Sequence, residues 1–207
     1  RGSVATPGAY DPRAEDAGMR ALSAVLLRLQ TLLDGGEVAR AAYAAADNMT
    51  DRMAAFACLL EAGDGEVAAA FEADWQHDRL VMDKWFAAQV VHAAPADAVA
   101  VARALTERAD FDPGNPNRFR AVIGALAGGN PAGFHAADGS GYAFVADWLL
   151  RLDANNPQAA ARMSTAFDSL GRWDADRQAL MRAALERMAA GGISRDLSEM
   201  VGRMLAA

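Results

Sequence analysis

Asp16 to Leu33 reads DAGMRALSAVLLRLQTLL, and this stretch decides the fold class. Leu22, Val25, Leu26, Leu29, Leu32 and Leu33 recur at spacings of three and four, which puts them on one side of a 3.6-residue helix. The pair Gly35-Gly36 follows, and glycine after a last turn ends a helix. The periodicity makes the leucines and Val25 one apolar stripe.

The same pattern repeats outward from there. Glu37–Ala46 is a short alanine-rich helix. Asn48 caps the next, with Asp51 in its first turn and Met53, Phe56, Ala57 and Leu60 on its core side. Val67, Phe71 and Trp75 share a face over 66–76. Residues 79–92 are apolar nearly all round, as an inner helix should be. Pro95 opens a helix through Leu105, and 110–117 (DFDPGNPN) is a turn-rich loop.

Three later helices open alike. Asn115-Pro116, Asn130-Pro131 and Asn156-Pro157 each place an N-cap residue before proline at the first helical position. The first predicts a helix to Ala127, and the third predicts one carrying Met163, Phe167 and Leu170 on its core side. Asp174 and Ser194 cap the last two. The expectation is all-α: an irregular α-superhelix, solenoid-like, of about eleven antiparallel-packed helices. Residues 1–12 (RGSVATPGAYDP) read as a linker or expression remnant, and 13–207 as one helical domain.

Composition agrees. Of the 207 residues 53% are hydrophobic, 23% charged and 7% aromatic, and alanine supplies about a quarter. A net charge of −7 disfavours nucleic acid as a partner. No apolar run reaches the roughly 18 residues of a membrane helix, so no membrane partner is expected. The single cysteine, Cys58, excludes an internal disulfide and fits a reducing, cytoplasmic compartment.

Chemistry is mostly missing. His77, His92 and His135 form no His-Glu-x-x-His zinc motif, and the only lysine, Lys84, belongs to no phosphate loop. No Gly-x-Ser-x-Gly elbow occurs. The carboxylate pairs Glu72/Asp74 and Asp174/Asp176 sit two apart, on different sides of a helix. Asp138-Gly-Ser-Gly-Tyr142 reads as a capped helix start with Tyr142 in the core, and Asp83-Lys84 as an internal polar anchor or domain contact.

Several longer strings are more specific. They are Asn48-Met-Thr-Asp-Arg52, Leu80-Val-Met-Asp-Lys-Trp-Phe86, Asn115-Pro-Asn-Arg118, the run Gly128-Gly-Asn-Pro-Ala-Gly-Phe-His-Ala-Ala-Asp-Gly-Ser-Gly-Tyr142, Asn155-Asn-Pro-Gln158 and Trp173-Asp-Ala-Asp-Arg-Gln178. Together, in this order, they resemble the C-terminal domain of the bacterial aminopeptidase N family, zinc metallopeptidases of the gluzincin class. The resemblance covers the chain from about residue 13 onward. It implies a noncatalytic helical domain that encloses the active-site chamber, limits access and helps position the distal part of a peptide substrate. It implies no cofactor in this fragment and one zinc ion in the catalytic domain of the parent enzyme. The implied partners are the other domains of that chain and peptide substrates, in a monomer. It also assigns chamber-facing candidates: Arg120, Arg162 and, more weakly, Arg118. No catalytic residue and no metal ligand is assigned to this stretch. An exposed apolar patch is expected where absent domains would dock. The alternative reading is a freestanding helical scaffold that holds a partner protein.

Overall fold

The computed structural model describes residues 11–206, and among them it is all helix, with no strand. Most of the linker reading (residues 1–10 of 1–12) lies outside the described residues. The chain divides into two compact units that meet in sequence between Trp85 and Phe86.

The first unit holds α1 (Ala14–Asp34), α2 (Glu37–Ala45), α3 (Met49–Glu61), α4 (Val67–Trp75) and the start of α5 (Arg79–Val91). Gly35 and Gly36 end α1 at φ 68° and 99°, conformations that side-chain-bearing residues avoid. Asp34 accepts from the Gly36 and Val38 amides and fixes the turn. Asn48 caps α3 by accepting from the Asp51 amide, while its own amide group donates to the Asp51 carboxylate. Phe56 and Phe71 stack 4.7 Å apart at the centre, both fully buried. Trp85 donates to the Ala68 carbonyl and so ties α5 to α4.

The apolar stripe of α1 lies on one side of the helix as read, but Leu22, Val25, Leu29, Leu32 and Leu33 are exposed and Leu26 is only half-buried. The side of α1 that is covered carries Arg20 and Thr31 instead. Periodicity states which residues share a face; it does not state what covers that face. Lys84 is likewise exposed, beside half-buried Asp83, so the lysine is no internal anchor.

The second unit runs from the rest of α5 through α6 (Ala98–Thr106), α7 (Pro116–Phe119), α8 (Pro131–Phe134), α9 (Ser140–Asp153), α10 (Pro157–Met163), α11 (Ala175–Ala190) and α12 (Arg195–Ala206). Its core is Ile123, Leu126, Phe134, Tyr142, Leu149, Phe167, Met181 and Leu185, all at or near zero exposure. The three Asn-Pro starts are as read. Asn115, Asn130 and Asn156 accept from the amides of Asn117, Gly133 and Ala159, with proline in the first turn each time. Asp153 at the end of α9 accepts from the Ser194 amide and hydroxyl at 2.7 and 2.5 Å, which fixes the entry to α12.

Three local readings change. The helix expected from Pro95 begins at Ala98, after a turn closed by the Asp97 amide on Ala94. The helix opened by Pro116 widens after one turn into a π-helix, Arg120–Gly129. The helix opened by Pro157 is α-helical only to Met163 and continues as 3-10 turns at Ser164–Phe167 and Leu170–Arg172. There the Ser164 and Thr165 hydroxyls donate to carbonyls three residues back, Ala161 and Arg162. Such bonds compete with the α-helical ladder and favour the tighter turn.

Candidate functional site

The three candidate arginines fall in different environments. Arg118 is only 4% exposed. Its guanidinium lies over the Phe86 ring at 4.1 Å and donates to the Asp110 carbonyl at 2.7 Å. Burial tends to raise the Asp110 carboxyl, but the hydrogen bond and charge of Arg108, with Arg118 behind them, hold it below the usual carboxylate range. Arg118 therefore knits the 110–117 loop to α5.

Arg120 and Arg162 are exposed. Arg120 Nε donates to the Pro116 carbonyl at 3.0 Å and Nη2 to Asn117 Oδ1 at 3.2 Å. Both acceptors are neutral, and among the described residues no carboxylate pairs with either arginine. A guanidinium has five N–H donors, so Arg120 keeps about three for a further partner. The elements that carry them meet at Gly124. A Cβ placed on Gly124 would meet Arg120 Cβ and Cγ at 3.5 and 3.6 Å and Met163 Cε at 3.7 Å. The bare backbone of Gly124 thus receives both the stem of Arg120 and the residue after Arg162.

Arg120 also stands at the first position of the π-helix, a conformation that is rare and recurs at functional sites. Here it spans ten residues and ends on Gly128-Gly129. Nothing in the sequence marks this widening, because propensities for i→i+4 and i→i+5 bonding are alike.

The most specific strings of the sequence meet in a second cluster. His135 stacks on Trp173 at 3.9 Å and shares a 2.9 Å hydrogen bond with Tyr142. Phe134 packs edge-on against Tyr142 and Phe167. Arg177 donates to the His135 carbonyl at 2.7 Å and pairs with Asp174 at 2.7 Å. Burial, then the Arg177 charge, push the imidazole below its ordinary 6.5, so it is neutral at pH 7. Burial raises the Tyr142 phenol. Asn130 completes this region: its side-chain amide donates to the Val90 and Ala93 carbonyls, both at 2.9 Å. At Gly141 the backbone comes so close to Phe134 that a Cβ would sit 2.4 Å from the Phe134 carbonyl oxygen.

This cluster is packed rather than reactive. The start of α9 is not an anion site, since Asp138 already accepts from the Ser140 amide and hydroxyl. His77 precedes α5, His92 follows it and His135 follows α8, and among the described residues no three His, Cys, Asp or Glu side chains gather to hold a metal ion. Zinc does not fit these residues. Among them, too, no helix is long and apolar enough to cross a membrane.

Comparison with known proteins gives a consistent result. A family model described as "Domain of unknown function (DUF3458_C) ARM repeats" matches residues 2–206. Aminopeptidase N of Haemophilus influenzae is 38% identical over 202 residues, 95% of this chain and 23% of that protein. Aminopeptidase N of Escherichia coli K12 is 42% identical over 165 residues, 78% of this chain and 19% of that protein. The crystal structure of Legionella pneumophila aminopeptidase A in complex with aspartic acid superposes with a TM-score of 0.87 at 28% identity, over 97% of this chain and 25% of that one. The chain thus spans about a quarter or less of the length of these relatives.

Proposed function

The chain belongs to the DUF3458_C family of ARM-repeat domains, and we propose that it serves as the noncatalytic C-terminal domain of a zinc-dependent aminopeptidase N. One family match running from residue 2 to 206, with relatives four to five times longer, carries this reading. The region from residue 13 on then acts as one domain. It closes over a catalytic domain elsewhere in the parent chain, a cytoplasmic monomer, and admits peptides but not folded proteins. Zinc chemistry resides in that catalytic domain.

Within the domain, Arg120 and Arg162 face the chamber and hold the part of the peptide beyond the scissile bond. The supporting observation is their exposure with no carboxylate partner among the described residues. A guanidinium so placed can pair bidentately with a peptide carboxylate or hold a backbone carbonyl. Arg118, already committed to Asp110 and Phe86, supports the loop behind them.

Arg120→Ala and Arg162→Ala in the full-length enzyme test this. Charged hydrogen bonds contribute about 1.5–3 kcal/mol, so kcat/KM for peptides should fall roughly ten- to a hundredfold. Single-residue chromogenic amides, which do not reach these positions, should be cleaved at nearly the original rate. Equal losses on both substrate types would assign the arginines a structural role.

A further inference from the structure

Arg120 is held by two neighbours in its own helical run. Its Nε donates to the Pro116 carbonyl at 3.0 Å and its Nη2 to Asn117 Oδ1 at 3.2 Å. Residues three and four apart share a helix face, and helical side chains lean toward the N-terminus, so both acceptors lie where this side chain reaches. The acceptors are themselves fixed. The proline ring sets φ at residue 116, and the Asn117 amide donates to Asn115 Oδ1 at 3.0 Å. Arg162 is also exposed, but its guanidinium has no such tether among the described residues.

The chemistry of the tether matters. Arg13, Arg108 and Arg177 are each held by a carboxylate two or three residues away, on Asp16, Asp110 and Asp174. Nothing of the kind stands beside Arg120 in sequence. No Asp or Glu occurs between Asp112 and Asp138, and Asp112 accepts from the Gly114 amide. A carboxylate would grip a guanidinium more firmly, yet it would also cancel the charge that a peptide carboxylate or carbonyl has to meet. A neutral amide oxygen fixes the direction and leaves the charge.

We propose that Asn117 is the positioning residue for Arg120: its uncharged side-chain oxygen aims the guanidinium at the peptide without neutralising it. This role rests on Arg120 being a chamber residue of an aminopeptidase N. It separates from a purely structural role through one substitution. Position 117 lies in the first turn of the helical run that opens at Pro116, where an acidic side chain complements the positive helix end. Asn117→Asp should therefore keep or raise stability while it captures Arg120 in an ion pair three residues on. Stability and peptide turnover then move in opposite directions.

Asn117→Asp, Asn117→Ala and Arg120→Ala are compared in the full-length parent, together with each Asn117 change on the Arg120→Ala background. The probes are a tetra-alanine peptide and alanine p-nitroanilide, and the readout is the ratio of their kcat/KM values. That ratio should fall about threefold in Asn117→Ala, where the arginine is merely freed, and about tenfold in Asn117→Asp, where it is neutralised. On the Arg120→Ala background neither change should lower it further, because a positioning residue acts only through the group it positions. The Tm of Asn117→Asp should equal or exceed that of the unchanged protein. An unaltered ratio in Asn117→Asp, or a further loss on the Arg120→Ala background, would overturn the role of Asn117 alone. A lowered Tm accompanying the lost turnover would mark the residue as structural and overturn it too. An unaltered ratio in Arg120→Ala would overturn the chamber reading of Arg120 as well.

Discussion

Removing the Asn130 side chain should destabilise the second unit far more than removing its counterpart Asn156. Both cap a helix that proline opens, and each Oδ1 accepts from an amide in the first turn. The resemblance ends there. Asn156 is exposed, and among the described residues its side chain bonds only as the cap, so Asn156→Ala should cost about 1 kcal/mol. Asn130 is 5% exposed and also donates to the Val90 and Ala93 carbonyls at the end of α5. Losing two more bonds to buried carbonyls adds about 1 kcal/mol each, so Asn130→Ala should cost about 3 kcal/mol. For a domain of this size 1 kcal/mol moves Tm by roughly 2–4 °C, which predicts about 6–12 °C for Asn130→Ala and 2–4 °C for Asn156→Ala. Asn130→Asp should be worse than alanine. It keeps the cap acceptor but turns a carboxylate oxygen toward two carbonyl oxygens. Circular dichroism melts of the three variants at pH 7 are sufficient. Equal Tm losses for Asn130→Ala and Asn156→Ala, or a harmless Asn130→Asp, would refute the idea that this cap is also an inter-helix tie.

Other consequences can be checked on the same chain. Gly141→Ala should destabilise by at least about 3 kcal/mol, because the new Cβ meets backbone on Phe134 that cannot yield, whereas Gly18→Ala in α1 meets nothing within 4 Å and should gain up to about 1 kcal/mol. The folded-state pKa of His135 lies below its unfolded value, so its contribution is complete above about pH 6.5 and is lost as pH falls through the folded value. Tm should therefore drop between pH 7 and 5 more steeply in the native chain than in His135→Gln, and parallel profiles would show that His135 does not couple to folding. The isolated 207-residue chain should neither hydrolyse aminoacyl amides nor retain stoichiometric zinc after dialysis; zinc-dependent turnover by the pure chain would contradict its assignment as a noncatalytic domain.

What could be read from sequence follows the range of the interaction concerned. The Asn-Pro starts, the Asp174 and Ser194 caps and the Gly35-Gly36 stop depend on bonds within a few residues, and each appears as expected. So does Tyr142 in the core behind the Asp138 turn. Features set by distant partners were not legible. The α1 stripe has the right period and no cover. The π-helix at Arg120 and the 3-10 continuation after Met163 depend on how the backbone closes its hydrogen bonds, which side-chain periodicity does not record. Arg118 lies under the Phe86 ring and beside the Asp110 carbonyl, contacts that no sequence pattern records. The role of the long Gly128–Tyr142 string was also out of reach, because its histidine, tyrosine and glycine acquire meaning only against Trp173 and Arg177.

The apolar seam on α1 also bears on the order in which the protein is made. Ribosomes add about 5–20 residues per second, so α12 emerges roughly ten to thirty seconds after α1. A seam that waited for a C-terminal partner would stand bare for that whole interval, inviting aggregation. The bare leucine seam of α1 is therefore most open to wrong contacts while the rest of the chain is still being made.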